Sequence, residues 1–121
     1  MKTEEFTKIL SDRKLAQLGD AFVNFVYSLA LTRSIGEPIG TKVSDRVLAD
    51  AARMAGIRKL LPKRTTRGDV SNAVESLVVY VWLHNYMTMD EILAILEAQI
   101  DSPSDAFTTL SEKIIKKLID K

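Results

Sequence analysis

Leu15-Ala16-Gln17-Leu18-Gly19-Asp20-Ala21-Phe22 opens a stretch, residues 15–31, that is apolar at nearly every position and carries one carboxylate, Asp20. At 100° per residue the polar exceptions fall in order. Arg13, Gln17, Asp20, Asn24, Ser28 and Thr32 form a narrow seam along an otherwise apolar helix. A helix apolar on most sides is covered by neighbours, so the stretch predicts a central helix with an acid held inside the protein. Gly19 costs about 1 kcal/mol against alanine in a helix, which marks a close approach by another backbone.

Working outward, every other segment also reads as helix or turn. Thr3 is the expected cap of a short helix over residues 4–10, and Ser11 that of the long helix, with Asp12 in its first turn. Ile35-Gly36-Glu37-Pro38-Ile39-Gly40 is a turn by composition. Ser44 opens a third helix with a small-residue face, Leu48, Ala51, Ala52 and Ala55, and Gly56 stops it. After a short apolar piece, Pro62 leads into the basic loop Lys63-Arg64-Thr65-Thr66-Arg67-Gly68, and Asp69 is the expected cap of a fourth helix over residues 70–86. Thr88-Met89-Asp90-Glu91 is a capping box opening a fifth helix, and Ser102-Pro103 starts a sixth. No strand-like alternation occurs, so the expected fold is an all-α bundle of about six helices, one domain over residues 1–121.

Composition narrows the chemistry. With 121 residues the chain is long enough to bury a core without staples. It has no cysteine, which excludes thiolate chemistry and suits a reducing cytoplasm, and its single histidine, His84, cannot build a multi-histidine metal site. Seventeen basic residues against sixteen acidic ones leave a net charge of +1, so phosphate recognition would have to come from a local patch. No apolar run reaches a membrane span, and Met1-Lys2-Thr3-Glu4-Glu5 is not a signal peptide. A soluble, cytoplasmic protein with no membrane partner is expected.

Glu75 is the counterpart of Asp20, a single acid inside the other strongly apolar helix. Measured from Asp12 and Asp69, both acids lie at a similar height, roughly 12 Å and 9 Å along their helices. If those helices are neighbours, Asp20 and Glu75 meet, with Asn24 and Asn72 beside them. Two carboxylates with amide oxygens form a hard-oxygen site suited to Mg²⁺ or Mn²⁺. Lys63, Arg64 and Arg67, just before the fourth helix, with Arg58 and Lys59 upstream, gather positive charge near the acids, as metal-assisted phosphodiester hydrolysis requires. Plainer readings stand beside this one. A lone acid can satisfy a backbone or pair with arginine, a basic loop can simply be solvated, and His84, Met87 and Met89 read as core or core-edge residues.

Leu15-Ala16-Gln17-Leu18-Gly19-Asp20-Ala21 resembles the signature helix of the ribonuclease III endonuclease domain, whose L-G-D core carries a catalytic aspartate. The segment from Val47 through Leu48-Ala49-Asp50-Ala51-Ala52 to Gly56-Ile57 resembles a second helix of that family. Asn72-Ala73-Val74-Glu75-Ser76-Leu77-Val78 is similar to its second acidic motif, D-x-x-E before an apolar helix. The resemblance implies the all-α endonuclease fold and a homodimer formed through the signature helix. It further implies a valley for double-stranded or stem-loop RNA, such as ribosomal RNA precursors, and acids that bind Mg²⁺ (or Mn²⁺) so that activated water attacks the phosphodiester. Asp20 and Glu75 match the two central catalytic acids, with Asn72 as a further metal ligand, and Lys63, Arg64 and Arg67 are the expected RNA contacts. Three family acids are replaced: Ala16 and Arg13 stand where the signature has glutamates, and Asn72 where D-x-x-E has its aspartate. Residues 89–121 read as more helix, without a double-stranded-RNA-binding domain. In both respects the chain is nearest the compact Mini-ribonuclease III type and a short archaeal ribonuclease III-like group. The alternatives are an RNA-binding relative that does not cleave and a structural helical interaction protein.

Overall fold

A computed structural model of the chain describes residues 1–119, and every regular element among them is helical. In order these are α1 (Thr3–Leu10), α2 (Arg13–Ile35), α3 (Asp45–Met54), a 3₁₀ turn (Arg58–Leu60), α4 (Arg67–Leu83), α5 (Met89–Ala98) and α6 (Pro103–Leu118). The all-α reading with six helices therefore holds. The expectation of helix through residue 121 takes in Asp120 and Lys121, which lie outside the described residues.

Three helices start elsewhere than expected, two of them because neighbouring residues compete for the cap. Asp12, not Ser11, caps α2, its Oδ1 accepting the Lys14 and Leu15 N–H groups at 3.0 and 3.1 Å. The Ser11 hydroxyl instead donates to the Thr7 carbonyl and so finishes α1. Thr66, not Asp69, caps α4 by accepting the Asp69 N–H, so that helix begins three residues before the expected Val70. At the first helix Thr3 lies within α1, whose cap position is Lys2. Ser44 and the Thr88–Glu91 capping box act as read, and Gly56, with φ of 87°, stops the chain just beyond α3.

The enclosed helix is α4. From Val70 to Val79 every side chain except Asn72 is buried, with α1, α2, α3 and α6 around it. On the far side α3 presents Leu48, Ala51 and Ala52, all fully buried, to α4 and α6, small side chains that let the helices approach. The expected enclosure of α2 does not occur. Its buried side, with Phe22, Val23, Val26 and Ala30, faces α4 and α5, while Leu18 and Phe25 remain 46% and 55% exposed on the other. Hydrophobic content gave the two helices the same signature, and only packing separates the covered one from the half-covered one.

Candidate functional site

The site is built where α2 crosses α4. Gly19 lies against the Glu75 carbonyl, where a β-carbon would fall well inside van der Waals contact with the backbone. The glycine thus permits the approach that the sequence suggested. Counted from the observed caps, Asp20 is eight residues past Asp12 and Glu75 nine past Thr66. The two acids therefore stand at about 12 and 13.5 Å along their helices, a closer match than Asp12 and Asp69 gave. Both carboxyl groups line one cavity and interact electrostatically. Glu75 is buried, with 4% of its surface exposed, whereas Asp20 is exposed. The expectation of an enclosed Asp20 is thus corrected: the buried acid is Glu75, and Asp20 reaches it from the open edge of α2.

Burial and the nearby Asp20 and Asp45 carboxylates raise the Glu75 carboxyl from its usual range to about 8. Burial and neighbouring negative charge both disfavour the ionised form, so the Glu75 carboxyl retains its proton more readily than an ordinary glutamate. The pair lies in a cavity of about 700 Å³, lined also by Asp12, Asp45, Asp69 and one cation, Arg13. Position sorts these acids. Asp12 caps α2, and Asp45 and Asp69 lie in the first turns of α3 and α4, where helix dipoles favour negative charge. Asp20 and Glu75 lie mid-helix, and no such requirement explains them. Asn72, one turn before Glu75, shares the cavity wall with them.

The basic loop forms the rim. Its Leu61, Pro62 and Thr65 line the cavity, and the Arg58 guanidinium holds it by donating to the Pro62 and Lys63 carbonyls at 3.2 and 3.0 Å. Arg58 is therefore occupied in shaping the loop. Lys63, Arg64 and Arg67 are exposed, none of them in a described ion pair, and they flank the cavity without lining it. Asn24, expected beside the acids, lies with its Nδ2 3.5 Å from Asp20 Oδ1 while its Oδ1 accepts from Val43 N–H, and Ser28 bonds the α2–α3 connection. Reading by sequence missed Asp45 and the cavity position of Arg13, because only the fold brings the starts of α2, α3 and α4 to one cavity. His84 caps the end of α4, exposed and packed on Tyr80 with ring centroids 4.3 Å apart.

The family model described as Ribonuclease III matches residues 13–120. The chain belongs to the ribonuclease III family. No curated protein matches the sequence closely enough to count as a relative. Arg13, Ala16 and Asn72, the positions at which the resemblance sets acids, all line the cavity that holds Asp20 and Glu75. The replacements therefore alter one site rather than scatter over the surface. Among the described residues no three acid or histidine side chains converge closely enough to ligate one ion. The donor set is two carboxylates and an amide, all oxygen. That set fits Mg²⁺ or Mn²⁺, which take one or two protein carboxylates and leave other positions to water and substrate phosphate.

Proposed function

We propose that the chain is a Mg²⁺- or Mn²⁺-dependent endoribonuclease that cleaves double-stranded or stem-loop RNA as a homodimer in the cytoplasm. The observation that carries this reading is the Asp20–Glu75 pair, two mid-helix carboxyl groups pressed together in an open polar cavity. The fold gains nothing from leaving them there, and a cation between them would remove the repulsion. A divalent ion supplies activation of water and charge stabilisation at the phosphodiester. Asp20 and Glu75 would hold it, and Asn72 would offer its amide oxygen from the same wall. Loss of the Glu75 proton would free the second carboxylate. Lys63, Arg64 and Arg67 would hold the RNA backbone at the rim, where a fixed cation on each phosphate displaces mobile counterions.

A second copy would cover the open side of α2. Leu18 and Phe25 follow at helical spacing, and the 37%-exposed Trp82 extends the patch by stacking on Phe22, ring centroids 4.8 Å apart. A contiguous exposed apolar surface on a small protein marks an interaction site.

The test is purified protein with a double-stranded or stem-loop RNA and Mg²⁺ or Mn²⁺. Cleavage is expected, with a loss on the order of a hundredfold or more in Asp20→Ala and Glu75→Gln. No cleavage by the native chain, or native-like cleavage by both variants, overturns the reading. Arg13 and the lack of a three-acid group among the described residues favour a second reading, RNA binding without cleavage. Salt-sensitive RNA binding with no metal-dependent product would establish it.

A further inference from the structure

Asn24 lies one turn beyond Asp20 on the polar seam, and its amide has a fixed sense. Its Oδ1 accepts the Val43 N–H at 2.7 Å, and its Nδ2 lies 3.5 Å from Asp20 Oδ1. A backbone N–H can only donate, so the amide oxygen must face Val43 and the NH₂ must face Asp20. Asn24 therefore has no oxygen to offer a cation. Its free hydrogen-bonding capacity points at the Asp20 carboxylate.

The bond to Val43 is the last rung of a ladder. Thr32 Oγ1 accepts the Ile39 N–H at 2.9 Å, and Ser28 Oγ accepts the Thr41 N–H at 2.9 Å. Each hydroxyl also donates to the carbonyl of the same residue, at 3.3 and 3.0 Å. The rungs recur every four residues on the helix and every two on the connection. Four helical residues rise about 6 Å and two extended residues about 6.6 Å, so the two repeats stay in step over three rungs. Beyond Val43 come Ser44, the cap of α3, and Asp45, which lines the cavity.

We propose that Asn24 is a positioning residue: held by the latched α2–α3 connection, it fixes the Asp20 carboxylate and so sets the affinity of the site for a divalent cation. This rests on the metal-binding reading above. Hydrogen-bonded partners behind metal ligands are worth about 10–100-fold in affinity when removed.

The experiment is Mn²⁺ binding to the whole chain by calorimetry, for the native protein, Asn24→Ala, Asn24→Leu and Ser28→Ala. Ser28→Ala removes a neighbouring rung without touching Asp20. Binding at least tenfold weaker in both Asn24 variants, with Ser28→Ala within about twofold of native, supports the proposal. Native-like binding by the Asn24 variants overturns it. Equal weakening by Ser28→Ala also overturns it, since the effect would then belong to the latch alone. If the native chain binds no Mn²⁺, the metal reading falls and this one with it. Should the Asn24 variants not fold, NMR of the native chain decides. Titration with Mg²⁺ is expected to shift the Asn24 side-chain NH₂ signals and leave those of Asn85, beyond the end of α4, in place. An unmoved Asn24 signal overturns the proposal.

Discussion

Glu75 holds its proton to about pH 8 in the folded chain, against an ordinary value of 4.5. Below pH 4.5 folded and unfolded chains are both protonated there. As pH rises toward 8 the unfolded chain ionises first, so the metal-free protein loses stability across that window. Glu75→Gln is expected to melt close to the native chain near pH 4.5 and well above it near pH 8, measured with a chelator present. For the same reason divalent-ion binding should release a proton below pH 8 and tighten as pH rises, which calorimetry in buffers of different ionisation enthalpy would show. Ala16, on the cavity wall, offers the reverse test: Ala16→Glu restores the family acid and is expected to bind Mn²⁺ about tenfold tighter. Unchanged affinity would mean that the cavity cannot direct a third carboxylate to the ion. At this scale the pairing of Asp20 with Glu75 was legible, since each is a lone acid in an apolar helix. Which of them is buried was not, because that depends on what covers the helix.

Among the elements, the α2–α4 crossing governs the site. Gly19→Ala would improve helix propensity by about 1 kcal/mol and still force the two backbones apart, so a net loss of about 2 kcal/mol or more is expected on urea unfolding, with loss of metal binding. Asp12→Ala should lose about 1 kcal/mol and Ser11→Ala much less, because only Asp12 bonds the free N–H groups of α2. The helices themselves, their order and the close approach at Gly19 could be read from residue types. Cap choice could not be settled at Ser11–Asp12 or Thr66–Asp69, where two good capping residues lie within reach and the path of the incoming chain decides. The ladder of Asn24, Ser28 and Thr32 was visible only as a polar seam, since residues 39–43 carry no pattern that announces their partner.

For the whole molecule, apolar periodicity shows which side of a helix avoids water but not what covers it. The open side of α2 is expected to associate: sedimentation should give a dimer for the native chain and a monomer for Phe25→Asp, while the helical content of the two stays alike. A native chain that sediments as a monomer at every concentration would leave Leu18 and Phe25 without that explanation. Neutralising Lys63, Arg64 or Arg67 singly should lower the salt slope of RNA binding by about one each, without altering Mn²⁺ binding. The near-neutral total charge concealed a local separation, in which three cations lie on the loop over residues 63–68 and five acids line one cavity.

Trp82 is the chain's one tryptophan, and it lies in the apolar patch, stacked on Phe22 and partly open to water. Indole emission, excited selectively over the three tyrosines, therefore comes from a single place, the surface expected to be covered when two copies meet. If two copies meet there, dilution should move the emission to longer wavelength as water reaches the indole, and the midpoint of that shift would read the dimer dissociation constant without a label.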